Sequence, residues 1–118
     1  MLDAVHIIGQ ILFGGYFIYS GINHFLNRKD YTVYAEVNKV PQPATAVYLT
    51  GVLLLLGGLG VLFNLYINIA LTLLIIFLIP VTFTMHAFWK GDNTAEKSSQ
   101  KIAFMKNVAL LGATLLLF

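Results

Sequence analysis

The chain has 118 residues, room for one domain, and 58% of them are hydrophobic while only 10% are charged. A soluble domain carries about 25% charged residues, and a core this small cannot hide so much apolar surface. A soluble globular enzyme, a disordered chain and a nucleic-acid binder are therefore excluded, the last because seven basic residues against five acidic ones form no basic stripe. Charge is also clustered: Ala4 to Asn27 and Pro41 to Trp89 hold no Asp, Glu, Lys or Arg. Runs of this kind predict an all-α integral membrane protein, an antiparallel four-helix bundle forming a single domain over residues 1–118. Cysteine is absent, which removes disulfides, thiol nucleophiles, cysteine-held clusters and covalent c-type haem.

Spanning about 30 Å of hydrocarbon takes roughly 20 apolar residues, and four segments are predicted to do so. The first covers about 4–26; with no basic residue ahead of it, it reads as a mature transmembrane helix rather than a cleaved leader. In the loop that follows, Val33, Tyr34, Val37 and Val40 recur at helical spacing opposite Asp30, Glu36 and Lys39, as in a short amphipathic helix on the membrane surface. An irregular polar loop fits the same residues. Pro41 and Pro43 then precede the second span, about 44–63, and suit a helix start. The polar break from Asn64 to Asn68 marks a tight turn into the third span, about 66–88, which Pro80 kinks by leaving the carbonyl of Ile76 without its helical partner.

The fourth span, about 102–118, is short for a crossing, and Lys106 one turn inside it can snorkel back to the headgroups. Arg28, Lys29 and Lys39 lie between spans one and two, and Lys90, Lys97 and Lys101 between three and four. Basic loops stay inside. Loops 27–43 and 89–101 are thus expected in the cytoplasm, with both termini periplasmic or exterior.

Polar residues inside spans face other helices or a cavity, because lipid offers them no hydrogen bonds. His6, Gln10, Phe17, Ser20 and His24 fall on one stripe of span one, and Asn68, Thr72, Thr82 and His86 on one stripe of span three. Asn107 and Thr114 share a face of span four. His24 and His86 sit at similar depth near the cytoplasmic end. With Asn23 and Trp89 at the rim and Ser20 and Thr82 on the same stripes, they form a candidate site for a quinone headgroup, where an imidazole donates to a quinone oxygen. Anchoring at a wet interface explains the same His, Asn and Trp residues without a ligand. No catalytic residue and no metal site is assigned.

Gly14, Gly15 and Gly21 of span one, Gly57 and Gly58 of span two, and the Ala109 and Ala113 pair of span four are expected to let helices approach closely. No Asp or Glu lies within any span. The intramembrane carboxylate that proton-driven pumps use is therefore missing, and a small multidrug exporter of similar length is set aside.

With those residues in place, the chain resembles the DoxX family of small four-span bacterial membrane proteins. The likeness runs through Ser20-Gly21-Ile22-Asn23-His24-Phe25, Val40-Pro41-Gln42-Pro43, Gly57-Gly58, Met85-His86-Ala87-Phe88-Trp89 and Lys106-Asn107-Val108-Ala109-Leu110-Leu111-Gly112. It implies a four-helix bundle linked to membrane redox complexes such as a quinone-reducing thiosulfate oxidoreductase. Other relatives act as membrane chaperones or cargo receptors. Many members carry an acid in span two, where this chain has Leu53 to Leu56. The expected role is a subunit or anchor of a quinone-linked redox complex in the lipid bilayer. The alternative is a non-enzymatic chaperone, cargo receptor or scaffold that contacts membrane-protein partners, or a second copy of itself, through glycine faces. A lipid or metabolite carrier is a third reading, faintly suggested by Gln10, Thr72 and Thr114.

Overall fold

The structure, a computed structural model, describes residues 4–84 and 94–118. Within them the chain is helical: α1 (Ala4–Leu26), α2 (Arg28–Val37), α3 (Pro43–Phe63), α4 (Ile67–Thr84) and α5 (Thr94–Leu116). Among the described residues no strand occurs. α1 and α3 are each long and apolar enough to cross a membrane, and α4 carries a shorter apolar run, Ile67–Phe83.

α1 packs on α3, α3 on α4 and α4 on α5, while the short α2 lies against α3 and touches α1. The α1 and α3 seam is held by two glycine pairs, the first of them reciprocal. A Cβ on Gly14 would stand 2.8 Å from the Gly58 carbonyl oxygen, and one on Gly58 would stand 2.9 Å from that of Gly14. Seven residues further along, a Cβ on Gly21 would meet the Gly51 oxygen at 3.0 Å. The order of these pairs makes the two helices antiparallel. Two helical turns separate them, so the glycines of each helix stay on one face.

Gly57 and Gly60 face the other way, where an added Cβ would meet Leu74 at 2.6 Å and Ala70 at 2.4 Å. Around these seams Phe17, Leu54, Val61, Leu71, Leu74 and Leu78 form the buried core, with Phe13, Phe77, Leu110 and Leu111 packed against it. At the far end Gln10 Nε2 donates to the Val61 carbonyl at 3.1 Å and ties α1 to α3. The outer surface is apolar instead of polar: Val5, Leu26, Leu12 and Ile69 are 61 to 82% exposed. Water would not tolerate so large an apolar exterior, whereas lipid satisfies it.

The turns stop the helices by backbone geometry. Asn64 takes a left-handed conformation (φ 55°) at the end of α3, and the Leu65 N–H donates to the Gly60 carbonyl at 2.9 Å, a helix-ending bond that suits Asn. α2 ends the same way, with Lys39 at φ 60° and the Val40 N–H donating to the Ala35 carbonyl at 3.0 Å.

Two expected boundaries differ. α5 begins at Thr94, eight residues before the expected span, because the charged segment through Lys101 consists largely of good helix formers that hydropathy does not register. α4 begins at Ile67, since Tyr66 is left-handed (φ 46°), and the expected residues 85–88 lie outside those described. The loop after α1 is indeed a helix. Val33 and Val37 are exposed on its outer side, while Ala35 is buried and Tyr31 and Tyr34 are half-buried. A small residue flanked by two tyrosines permits closer docking on α3 than β-branched valines do.

Candidate functional site

All five helices contribute to one cavity of about 500 Å³, within the roughly 300–1,000 Å³ range of small-molecule pockets. α1 supplies Tyr16, Phe17, Ser20 and His24, three of them spaced by four so that their side chains line one face. α2 closes one end with Tyr31, Tyr34 and Ala35. Val47 and Thr50 of α3, Phe77 and Leu78 of α4, and Leu110 of α5 supply much of the rest of the wall. Ile76 and Pro80 line it too, which puts the proline-interrupted turn of α4 at the cavity.

His24 sits at the α2 end. Its Nδ1 lies 2.8 Å from the Ser20 carbonyl oxygen; a carbonyl only accepts, so Nδ1 carries the proton and neutral His24 presents Nε2 as an acceptor. The ring meets Tyr31 edge-on at 4.7 Å between centroids and Phe77 at 6.0 Å, contacts that hold its orientation. Burial pushes the Tyr31 phenol above its ordinary pKa, and the neighbouring Tyr19 and Tyr16 phenols push it the same way. Tyr31 therefore stays a neutral hydroxyl donor through the physiological range.

Lys106 and Asn107 of α5 face the same cavity. Lys106 Nζ donates to the Tyr16 hydroxyl at 3.0 Å and stands 5.5 Å from the centre of that ring, within cation–π range. The Lys106 side chain thus crosses to the middle of α1. Asn107, by contrast, is buried at 5% exposure. Nearer α2, Gln100 Nε2 donates to the Tyr34 hydroxyl and ties α5 to α2.

The expected site residues are distributed unevenly. Ser20 and His24 line the cavity, whereas the half-buried Asn23 and the buried Thr82 are not among its lining residues. His86 and Trp89 lie outside the described residues. Of the expected packing residues, Gly14, Gly21, Gly57 and Gly58 occupy helix seams, while a Cβ on Gly15 would meet nothing within 4 Å. Ala109 is exposed and Ala113 half-buried.

Sequence reasoning missed Tyr16, Tyr31 and Tyr34 as cavity residues. The signal for Tyr16 was present in its spacing of four from Ser20 and eight from His24. Tyr34 stands on the helical face predicted for the segment after span one, but which of its residues turn toward the cavity depends on how α2 docks.

An apolar exterior, membrane-length helices and an internal cavity with a few polar groups define a small helical membrane protein with a ligand-sized pocket. The family model named DoxX matches residues 6–87, and the chain belongs to the DoxX family. That match takes in α1 to α4 and hence most of the cavity wall. No curated protein matches the chain, and no solved structure matches it either.

Proposed function

We propose that this DoxX protein is a four-span subunit or anchor of a quinone-linked redox complex in the bacterial inner membrane, with a quinone headgroup held in the cavity beside His24. The observation that carries the reading is the fixed imidazole. With Nδ1 committed to the Ser20 carbonyl, neutral His24 accepts from a quinol hydroxyl through Nε2, and its protonated form donates to a quinone carbonyl. Tyr31 supplies a neutral donor next to it. In this reading both basic loops are cytoplasmic and the termini face the other side.

The escort reading depended on Gly57 and Gly58 as partner contacts. Both are consumed by internal packing, against Leu74 and Ile18, so an escort role would need another face.

The test is gentle purification from native membranes followed by a redox difference spectrum and mass identification of extracted small molecules. A stoichiometric quinone is expected, with His24→Leu retaining it about tenfold less well, the loss corresponding to one buried hydrogen bond of about 1.4 kcal/mol. A protein free of quinone, or a His24→Leu variant with unchanged quinone content, overturns the reading.

A further inference from the structure

We infer a second recognition point in the molecule: the Lys106 and Tyr16 pair, at the mouth of the cavity between α1 and α5, binds the anionic headgroup of an acyl-chain amphiphile. The first ground is depth. Tyr16 lies ten residues from the end of α1 and Lys106 six residues beyond Gln100 on α5, about 15 Å and 9 Å of helix rise below the α2 end. An ammonium carried to that depth is costly unless something neutralises it.

The second ground is the lack of an internal counter-ion. Among the described residues Lys106 is the one charged cavity-lining side chain, and no Asp or Glu lines the cavity. Asp30 and Glu36 are exposed on α2. The Tyr16 hydroxyl engages one of the three ammonium protons, and a neutral phenol leaves the charge in place. A ligand oxygen there would find further ammonium protons, with the buried Asn107 next in sequence.

The third ground is access. Among the described residues α1 and α5 make no backbone packing contact; the hydrogen bond of Lys106 to Tyr16 spans the gap. Both residues line the cavity and are also exposed on the outer surface. The surface on either side is apolar, including Leu12, Ile8, Met105 and Val108. Entry is therefore sideways from the lipid, which suits a molecule with an acyl tail. Free fatty acids and acidic phospholipids share this chemistry. The inference stands apart from the quinone reading, since His24 lies eight residues, about 12 Å of α1, from Tyr16.

The experiment reconstitutes the full chain in phosphatidylcholine nanodiscs. Retention of oleate, methyl oleate and phosphatidylglycerol is then measured by native mass spectrometry. Oleate or phosphatidylglycerol, whichever is the source, is expected to be retained at one per chain and at least tenfold more strongly than methyl oleate or phosphatidylcholine. Lys106→Gln should erase that preference and Lys106→Arg should keep it, which separates loss of charge from loss of fold. Tyr16→Phe should weaken it a few-fold, and Gln10→Leu, outside the cavity lining, should leave it unchanged. Equal retention of oleate, phosphatidylglycerol and methyl oleate, or a preference that survives Lys106→Gln, overturns the inference. A quinone-free protein that still selects the anion through Lys106 sinks the quinone reading alone.

Discussion

The two flanks of α1 are built on opposite terms. Toward α3 the backbones nearly touch, because Gly14, Gly21, Gly51 and Gly58 remove the side chains that would hold them apart. Toward α5 the backbones stay separate, and a lysine reaching a tyrosine bridges the gap. Inside a membrane no hydrophobic drive pulls helices together. Close van der Waals approach makes one flank a fixed seam, and its absence leaves the other available to a ligand.

Substitutions can break or sharpen this contrast. The largest effect is expected from Gly58→Leu, which drives a side chain into Ile18 and the Gly14 carbonyl. A loss of about 3 kcal/mol or outright misfolding should follow, read by thermal unfolding in detergent. An unchanged melting temperature would mean that the seam is looser than its 2.9 Å approach implies. Gln10→Leu should cost about 1 kcal/mol by removing the bond to the Val61 carbonyl, leaving cavity binding intact.

On the same helix, Gly15→Ala should be neutral or stabilise by up to about 1 kcal/mol. Its Cβ enters open space and Ala is the better helix former. A marked loss there would reveal a contact outside the described bundle.

The smallest effect concerns Tyr31. Its raised pKa means that the fold favours the protonated phenol. The stabilisation is therefore fully present below the ordinary tyrosine value near 10 and is lost as pH rises through the higher folded value. Comparing the alkaline melting profile of Tyr31→Phe with the parent chain checks this: the variant should lose less stability above about pH 10.

Much of the helical layout is legible in the sequence because membrane solvation imposes a one-dimensional rule. Uncharged runs bounded by prolines and asparagines predict helices over 4–26 and 44–63, and α1 and α3 occupy nearly the same residues. The extra turns of α5 were not legible, since the Glu96 to Lys101 segment is helical and polar at once. At the site, His24 and Ser20 stood out as polar residues on an apolar helix. Tyr31 and Tyr34 did not, because tyrosine near an interface is ordinary, and for Tyr16 as for them only docking decides which rings point inward.

By itself, then, the sequence determined that this chain is a helical membrane protein of the DoxX family, where the helices run, and that its charges avoid them, because the cost of burying charge or unpaired backbone in lipid is local to each segment. The tertiary structure alone decided that Gly14 meets Gly58 while Gly15 meets nothing, that His24 spends one nitrogen on Ser20, and that Lys106 crosses to Tyr16. Those facts depend on the rotation and spacing of whole helices. In a bundle whose outer faces are uniformly apolar, composition leaves that rotation undetermined and close packing selects it.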